Sequence, residues 1–177
     1  MSFHRVYLIT LLLFIIFISL DAQPYEKNDR DLNVLLVTLD TTRADRIGCY
    51  GYEKAKTPNL DTLASKGIRF ASAYAQVPLT LPSHCSILTG TYPLSHGVHN
   101  NGFYYLGENN FTLAEMLKEQ NYNTAAFVSS FTVDSRFGIG QGFDFFDDKF
   151  SAEEILKNFR SERKAESVFV SFSDWFD

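Results

Sequence analysis

The run Asn33-Val-Leu-Leu-Val-Thr-Leu39, closed by Asp40, constrains the fold more than any other part of the chain. It is apolar at successive positions and partly β-branched, the pattern of a strand covered on both faces, as parallel strands are. Such a strand needs helices packed on its sheet, and helix signals follow. Thr57-Pro58 offers a cap and a Pro at the first helical position, Leu60, Leu63 and Ala64 form a stripe, and Gly67 can stop it, so 58–66 is expected to be helical. Ile68 to Ala75 reads as a second strand or extended segment. Pro82 to Leu88 reads as a helix closed by Gly90, with Thr80 or Leu81 at its start. Thr112-Leu-Ala-Glu115 is a capping-box pattern opening a helix to about Glu119, and Thr124 to Ser129 reads as a strand. The alternation predicts an α/β layered sheet with helices on both faces. Near the end, Ala165, Val168, Phe169, Phe172, Trp175 and Phe176 recur at helical spacing, an apolar stripe for which the following chain offers no partner.

Charge and cysteine content narrow the function classes. Sixteen Lys and Arg against 21 Asp and Glu give a net charge of −5, which argues against nucleic acid as a partner. Cys49 and Cys85 are too few for a disulfide scaffold or a four-cysteine zinc site. Residues 1–22 combine Arg5, the apolar run Val6 to Leu20 and the polar step Asp21-Ala22-Gln23. The run is short of the about 20 residues that span a bilayer. It reads as a secretory signal peptide, with an uncleaved anchor as the alternative because Leu20 stands where a small residue belongs. Export to a periplasm or the extracellular space is expected, with membrane contact only if the segment is uncleaved. Residues 23–32 read as a charged linker, and 33–177 as the domain.

Three places carry candidate chemistry, each with a plainer reading. Asp40 would stand at the C-terminal end of a strand, the edge where open α/β sheets bind ligands, and Asp40-Thr-Thr-Arg-Ala-Asp45 is otherwise a turn with an ion pair. Thr80-Leu-Pro-Ser-His84 puts a hydroxyl at a helix N-terminus, whose unpaired N–H groups and dipole favour an anion, although Thr also caps helices routinely. His96, His99, Asn100 and Asn101 form either a polar turn or, by family resemblance, a site loop in which Asn101 can donate to a substrate oxygen. Gly138-Ile-Gly-Gln-Gly142 lacks the dinucleotide-binding spacing, and the sequon Asn110-Phe-Thr112 is already explained by Thr112 as a cap.

In order along the chain stand NVLLVTLD (33–40), GCYGY (48–52), TPNLDTLASKGIRF (57–70), TLPSHCSILTG (80–90), TYPLSHGVHNNG (91–102), TLAEMLKEQNYNTAAF (112–127) and GFD (142–144). Together they resemble the N-terminal part of the sulfatase family, within the alkaline phosphatase-like superfamily. The resemblance implies a partial alkaline phosphatase-like fold and a metal-dependent hydrolase of small anionic sulfate or phosphate esters. It places Asp40 on the first metal-binding aspartate, and Thr80, a nucleophile and metal ligand, on the cysteine that sulfatases convert to formylglycine. His84 falls on the arginine of the family pattern Cys-x-Pro-Ser-Arg, which helps hold the nucleophile and its anion.

The chain departs from the pattern at these positions. Thr41 replaces the second aspartate, Thr80 cannot become formylglycine, and His84 is a titratable substitute for a permanent cation. Cys85 lacks a Pro two residues on and is assigned to the core or a free thiol. A plain threonine ester must be cleaved by activated water, as in relatives acting on phosphate esters, so Thr80 shifts the expectation towards phosphoryl transfer. The implied metal is calcium if sulfatase-like, zinc or manganese if phosphatase-like. Family members are longer, and after Asp148 no histidine and no Asp-His or Asp-Asn pair occurs. The chain is therefore expected to be an incomplete portion, inactive by itself. A non-catalytic anion-binding remnant and an inactive truncated product are the alternatives.

Overall fold

The computed structural model describes residues 32–150 and 162–177. The expected signal peptide (1–22) and residues 23–31 of the expected linker lie outside the described residues. The chain divides into two units, Met1–Leu39 and Asp40–Asp177. In the first, residues 32–39 carry no regular secondary structure, and Leu35 is 72% exposed. The strand expected over 33–39 is therefore not found. Apolar, β-branched sequence does not make a strand by itself: its N–H and C=O groups need a ladder, and the sheet among the described residues is made of two strands elsewhere in the chain.

In the second unit the helices fall where local signals put them. Helix α1 is Pro58–Lys66, α2 is Thr80–Thr89, α3 is Pro93–His96, α4 is Leu113–Glu119 and α5 is Ala165–Phe176. Gly90 ends α2 in the left-handed conformation. Both halves of the capping box form at α4: the Glu115 N–H donates to the Thr112 hydroxyl, and the Thr112 N–H donates to Glu115 Oε2 at 2.8 Å. Thr57 precedes α1 but does not cap it. Its hydroxyl accepts from Gly48 N–H at 3.0 Å and donates to Asp61, whose carboxylate also takes the Cys49 N–H at 2.6 Å, so Thr57 and Asp61 pin the 48–52 segment to the helix. The second strand expected at 68–75 is absent; Ile68 and Phe70 are exposed, and the Phe70 carbonyl accepts from the Tyr50 hydroxyl.

Strands β1 (Ala125–Phe127) and β2 (Phe145–Asp147) pair in parallel, with Ala125 beside Phe145 and Phe127 beside Asp147. The Thr124–Ser129 expectation thus yields a shorter strand, and β2 had no separate sequence signal. Helix α5 does find a partner: Phe172 and Trp175 meet Phe127 edge-on, with centroids 5.8 and 5.9 Å apart. The expectation of an unpartnered stripe fails in part: Phe172 and Trp175 meet β1, which lies upstream, while Phe169 and Phe176 stay 66% and 63% exposed. The core is built on α2, whose Leu81 and Cys85 are fully buried with Val98, Leu106, Val133, Phe137 and Ile139.

Gly142 is required by space as well as by backbone. Its φ is +82°, and a Cβ there would lie 2.3 Å from the Glu115 nitrogen. Gly97, at φ +78°, faces open space. Gly142→Ala is expected to cost about 3 kcal/mol and Gly97→Ala about 1 kcal/mol in thermal denaturation. Equal losses would contradict the close approach of the 142 turn to α4.

Candidate active site at the start of helix α2

Thr80 is the first residue of α2, and Leu79 occupies the cap position. The Thr80 hydroxyl does not cap the helix. Oγ1 donates to Asp40 Oδ2 at 3.0 Å, joining positions forty apart in the sequence. Asp40 leads into a turn in which Thr41 has φ +56°, a strained left-handed conformation for a β-branched residue. Arg43 is bidentate to Asp45, at 2.9 and 2.7 Å, so the ion-pair reading of this segment holds for those two residues, while Asp40 turns to Thr80 instead.

The helix end is less open than its position suggests. Of the first-turn donors, Pro82 has no N–H, Ser83 N–H goes to the Leu79 carbonyl at 3.1 Å, and Leu81 N–H goes to Asn101 Oδ1 at 2.9 Å. The Thr80 N–H alone is left without a partner among the described residues. An open array of N–H groups facing the hydroxyl is therefore not what forms. Asn101 supplies the missing cap from 20 residues downstream, and with Oδ1 accepting, its Nδ2 is the amide's donating end. That capping role was missed in the sequence, although an apolar cap residue at Leu79 signals that the cap must come from elsewhere. His84 folds back along α2, its Nδ1 donating to the Thr80 carbonyl at 2.8 Å. Asp40, Thr80, His84 and Asn101 are thus gathered at one helix end.

Neighbouring groups are structural. Burial pushes the Cys85 thiol up to about 12, so it stays protonated and inert. Buried His96 accepts the Val98 N–H on Nδ1 at 3.1 Å, which leaves Nε2–H to donate to the Ser86 hydroxyl at 3.0 Å. Burial, seconded by His99, holds its imidazole below the ordinary value. A neutral, buried imidazole stabilises the fold above its unfolded pKa, and that contribution falls away as pH drops below about 6.5, where the unfolded chain takes up a proton the folded chain refuses. In denaturant titrations between pH 7 and 5, His96→Gln is expected to flatten this loss; an unchanged slope would contradict the assignment.

Among the described residues no group of three or more His, Cys, Asp or Glu side chains could hold a metal ion, and no helix is long and apolar enough to cross a membrane.

Comparison with known proteins places the chain in a family. The sulfatase family model matches residues 32–169. The ulvan-active sulfatase of Formosa agariphila is 36% identical over 93 residues, covering 52% of this chain and 18% of that protein. The N-acetylglucosamine-6-O-sulfatase of Bacteroides thetaiotaomicron is 33% identical over 104 residues, 59% and 18% of the two chains. Human arylsulfatase D is 32% identical over 123 residues, 64% and 21%. The chain spans about a fifth of the length of these relatives. The crystal structure of the phosphonate monoester hydrolase of Agrobacterium radiobacter superposes with TM-score 0.60 at 26% identity, over 70% of this chain and 27% of that one. The architecture is accordingly a partial alkaline phosphatase-like α/β fold, and the chain belongs to the sulfatase family.

Proposed function

We propose that the protein containing this chain is an exported, metal-dependent hydrolase of sulfate or phosphate esters in which Thr80 is the nucleophile. The observation that carries the reading is the Thr80 Oγ1 to Asp40 Oδ2 hydrogen bond. It orients the hydroxyl and sets a carboxylate where the proton leaves on attack. Asn101 Nδ2 would donate to an equatorial oxygen of the ester, and His84 would support the anion while its Nδ1 ties it to the nucleophile's own carbonyl.

Asp40 and Thr80 offer two hard oxygens, the donor chemistry of calcium, magnesium or manganese, but calcium takes six to eight. They would hold a divalent cation as part of a larger ligand set. When bound, it would supply the positive charge that neutralises the ester anion. The threonine favours phosphoryl over sulfuryl transfer, because a threonine ester must be released by water and cannot collapse to an aldehyde.

The reading is tested by assaying p-nitrophenyl phosphate and p-nitrophenyl sulfate side by side, with and without added divalent cation. Faster turnover of the phosphate is expected, and both rates should fall on chelation; turnover indifferent to cation would contradict the metal-dependent site. The small donor set favours a second reading for the isolated chain, anion binding without turnover. Sulfate or phosphate at 100 times its Kd would then raise stability by about 2.7 kcal/mol, read as a shift in melting temperature that Asn101→Ala abolishes.

A further inference from the structure

Of the asparagines in the chain, Asn101 alone is followed by a glycine. A glycine leaves the preceding side-chain amide open to attack by its own backbone nitrogen, because no Cβ stands in the way. Gly102 is exposed, has φ +81°, and a Cβ built on it would find nothing within 4 Å. Its N–H makes no hydrogen bond among the described residues. The preceding pair is arranged differently. Asn100 Oδ1 accepts the Asn101 N–H at 2.8 Å, so the nitrogen that would attack the Asn100 amide is engaged with that amide's own oxygen and is screened by the Asn101 side chain. The Asn101 amide, by contrast, is polarised for attack. Its Oδ1 accepts the Leu81 N–H at 2.9 Å in the first turn of α2, at the positive end of the helix dipole. Charge gathers on Oδ1 when a nucleophile adds to Cγ, and the same donor stabilises that oxyanion.

We propose that Asn101-Gly102 is a site of spontaneous deamidation that ages the helix end beside Thr80. The Gly102 nitrogen gives its proton to solvent base and adds to Asn101 Cγ. The N–Cγ bond forms, the Cγ–Nδ2 bond breaks, and Nδ2 takes a proton from water and leaves as ammonia, closing a succinimide ring. Water then opens the ring, at Cγ to give aspartate or at the backbone carbonyl to give isoaspartate, in which the chain runs through the side-chain carbon. The effect of the change rests on the hydrolase reading. Nδ2, the donating end of the amide, becomes a carboxylate oxygen, so an ester anion beside Thr80 loses a donor and meets a negative charge. Aspartate keeps an acceptor for the Leu81 N–H, whereas the extra backbone carbon of isoaspartate shifts that acceptor and uncaps α2.

The test separates the modification from its effect. The purified chain is incubated in mildly alkaline buffer, folded and in urea, then digested with pepsin in acid and mapped by mass spectrometry, with isoaspartate read by protein-L-isoaspartate methyltransferase labelling. Asn101 is expected to convert in the folded chain while Asn100, in the same peptide, stays an amide. Gly102→Ala should slow the conversion about tenfold, and its melting temperature, measured on the same sample, shows that the turn still folds. The proposal is overturned if Asn101 converts in urea but not in the folded chain, if Asn100 and Asn101 convert alike, or if the Gly102→Ala chain converts as the wild type does. In the protein containing this chain, Asn101→Asp, which reproduces one product, should lower turnover of p-nitrophenyl phosphate about 10²-fold. If Asn101 converts and Asn101→Asp leaves turnover unchanged, the deamidation site stands and the role of Asn101 in holding the ester falls.

Discussion

Arg163→Ala is expected to cost about 4 kcal/mol of stability, the range found when one partner of a buried ion pair is removed. Arg163 and Asp147 are 8% and 7% exposed. Nη1 donates to Asp147 Oδ2 at 2.8 Å, Nη2 to the Asp147 carbonyl at 2.9 Å and Nε to the Val128 carbonyl at 2.7 Å, while the Arg163 N–H reaches the Ser129 carbonyl. One guanidinium therefore satisfies the groups left at the ends of β1 and β2 and ties the segment before α5 to the two-stranded sheet. Removing it takes the counter-charge from the buried Asp147 carboxylate and the Nε donor from the Val128 carbonyl, while the Asp147 carbonyl keeps the Val128 N–H at 3.0 Å. Burial raises the Asp147 carboxyl, but bonds to Arg163 and Ser171 outweigh it and hold the group below the usual carboxylate range. A depressed carboxylate stabilises the fold above its unfolded pKa of about 3.9 and loses that contribution as pH falls through the folded value. The gap between wild type and variant should accordingly narrow in acid. Urea denaturation at pH 7 and pH 3 checks both points, and a variant losing under about 1 kcal/mol would place the pair among ordinary surface bridges.

In the protein containing this chain, Thr80→Ala is expected to lower ester hydrolysis by about 10⁴-fold or more, as removal of a nucleophile does. Its cost to folding should be small, within about 1 kcal/mol, because the bond it loses is exposed and the cap of α2 comes from Asn101. Thr80→Ser keeps the hydroxyl and should retain most of the rate, while Asp40→Asn, which keeps the shape and removes the charge, should lose it. Activity and melting temperature measured on the same preparations separate chemistry from fold: a Thr80→Ala protein that melts normally and still turns over would dismiss the nucleophile.

What was legible in the sequence was local. Pro58, Gly90 and the Thr112–Glu115 box act within a turn of the residues they specify, and α1, α2 and α4 fall at or within a residue or two of the expected bounds. Strands obey partners far away, so 33–39 and 68–75 carry strand composition without a ladder, whereas β2 forms beside β1 without a distinctive pattern. The four candidate site residues, from separate stretches, do meet, but their bonds were not legible. Pro82 was visible as a helix residue, yet its missing N–H matters only once Asn101 takes its neighbour Leu81. In the same way Thr57 and Thr80 both read as caps and neither is one, because Asp61 and Asp40 are nearer partners for their hydroxyls.

The central claim is that Thr80 forms a covalent ester with the transferred group. The most direct measurement is mass spectrometry of the peptide containing residues 80–89 after acid quench of turnover on p-nitrophenyl phosphate and p-nitrophenyl sulfate. A phosphoryl or sulfuryl adduct on Thr80, absent in Thr80→Ala, is the predicted result. Full turnover with no adduct there, or with the adduct on another residue, would contradict it.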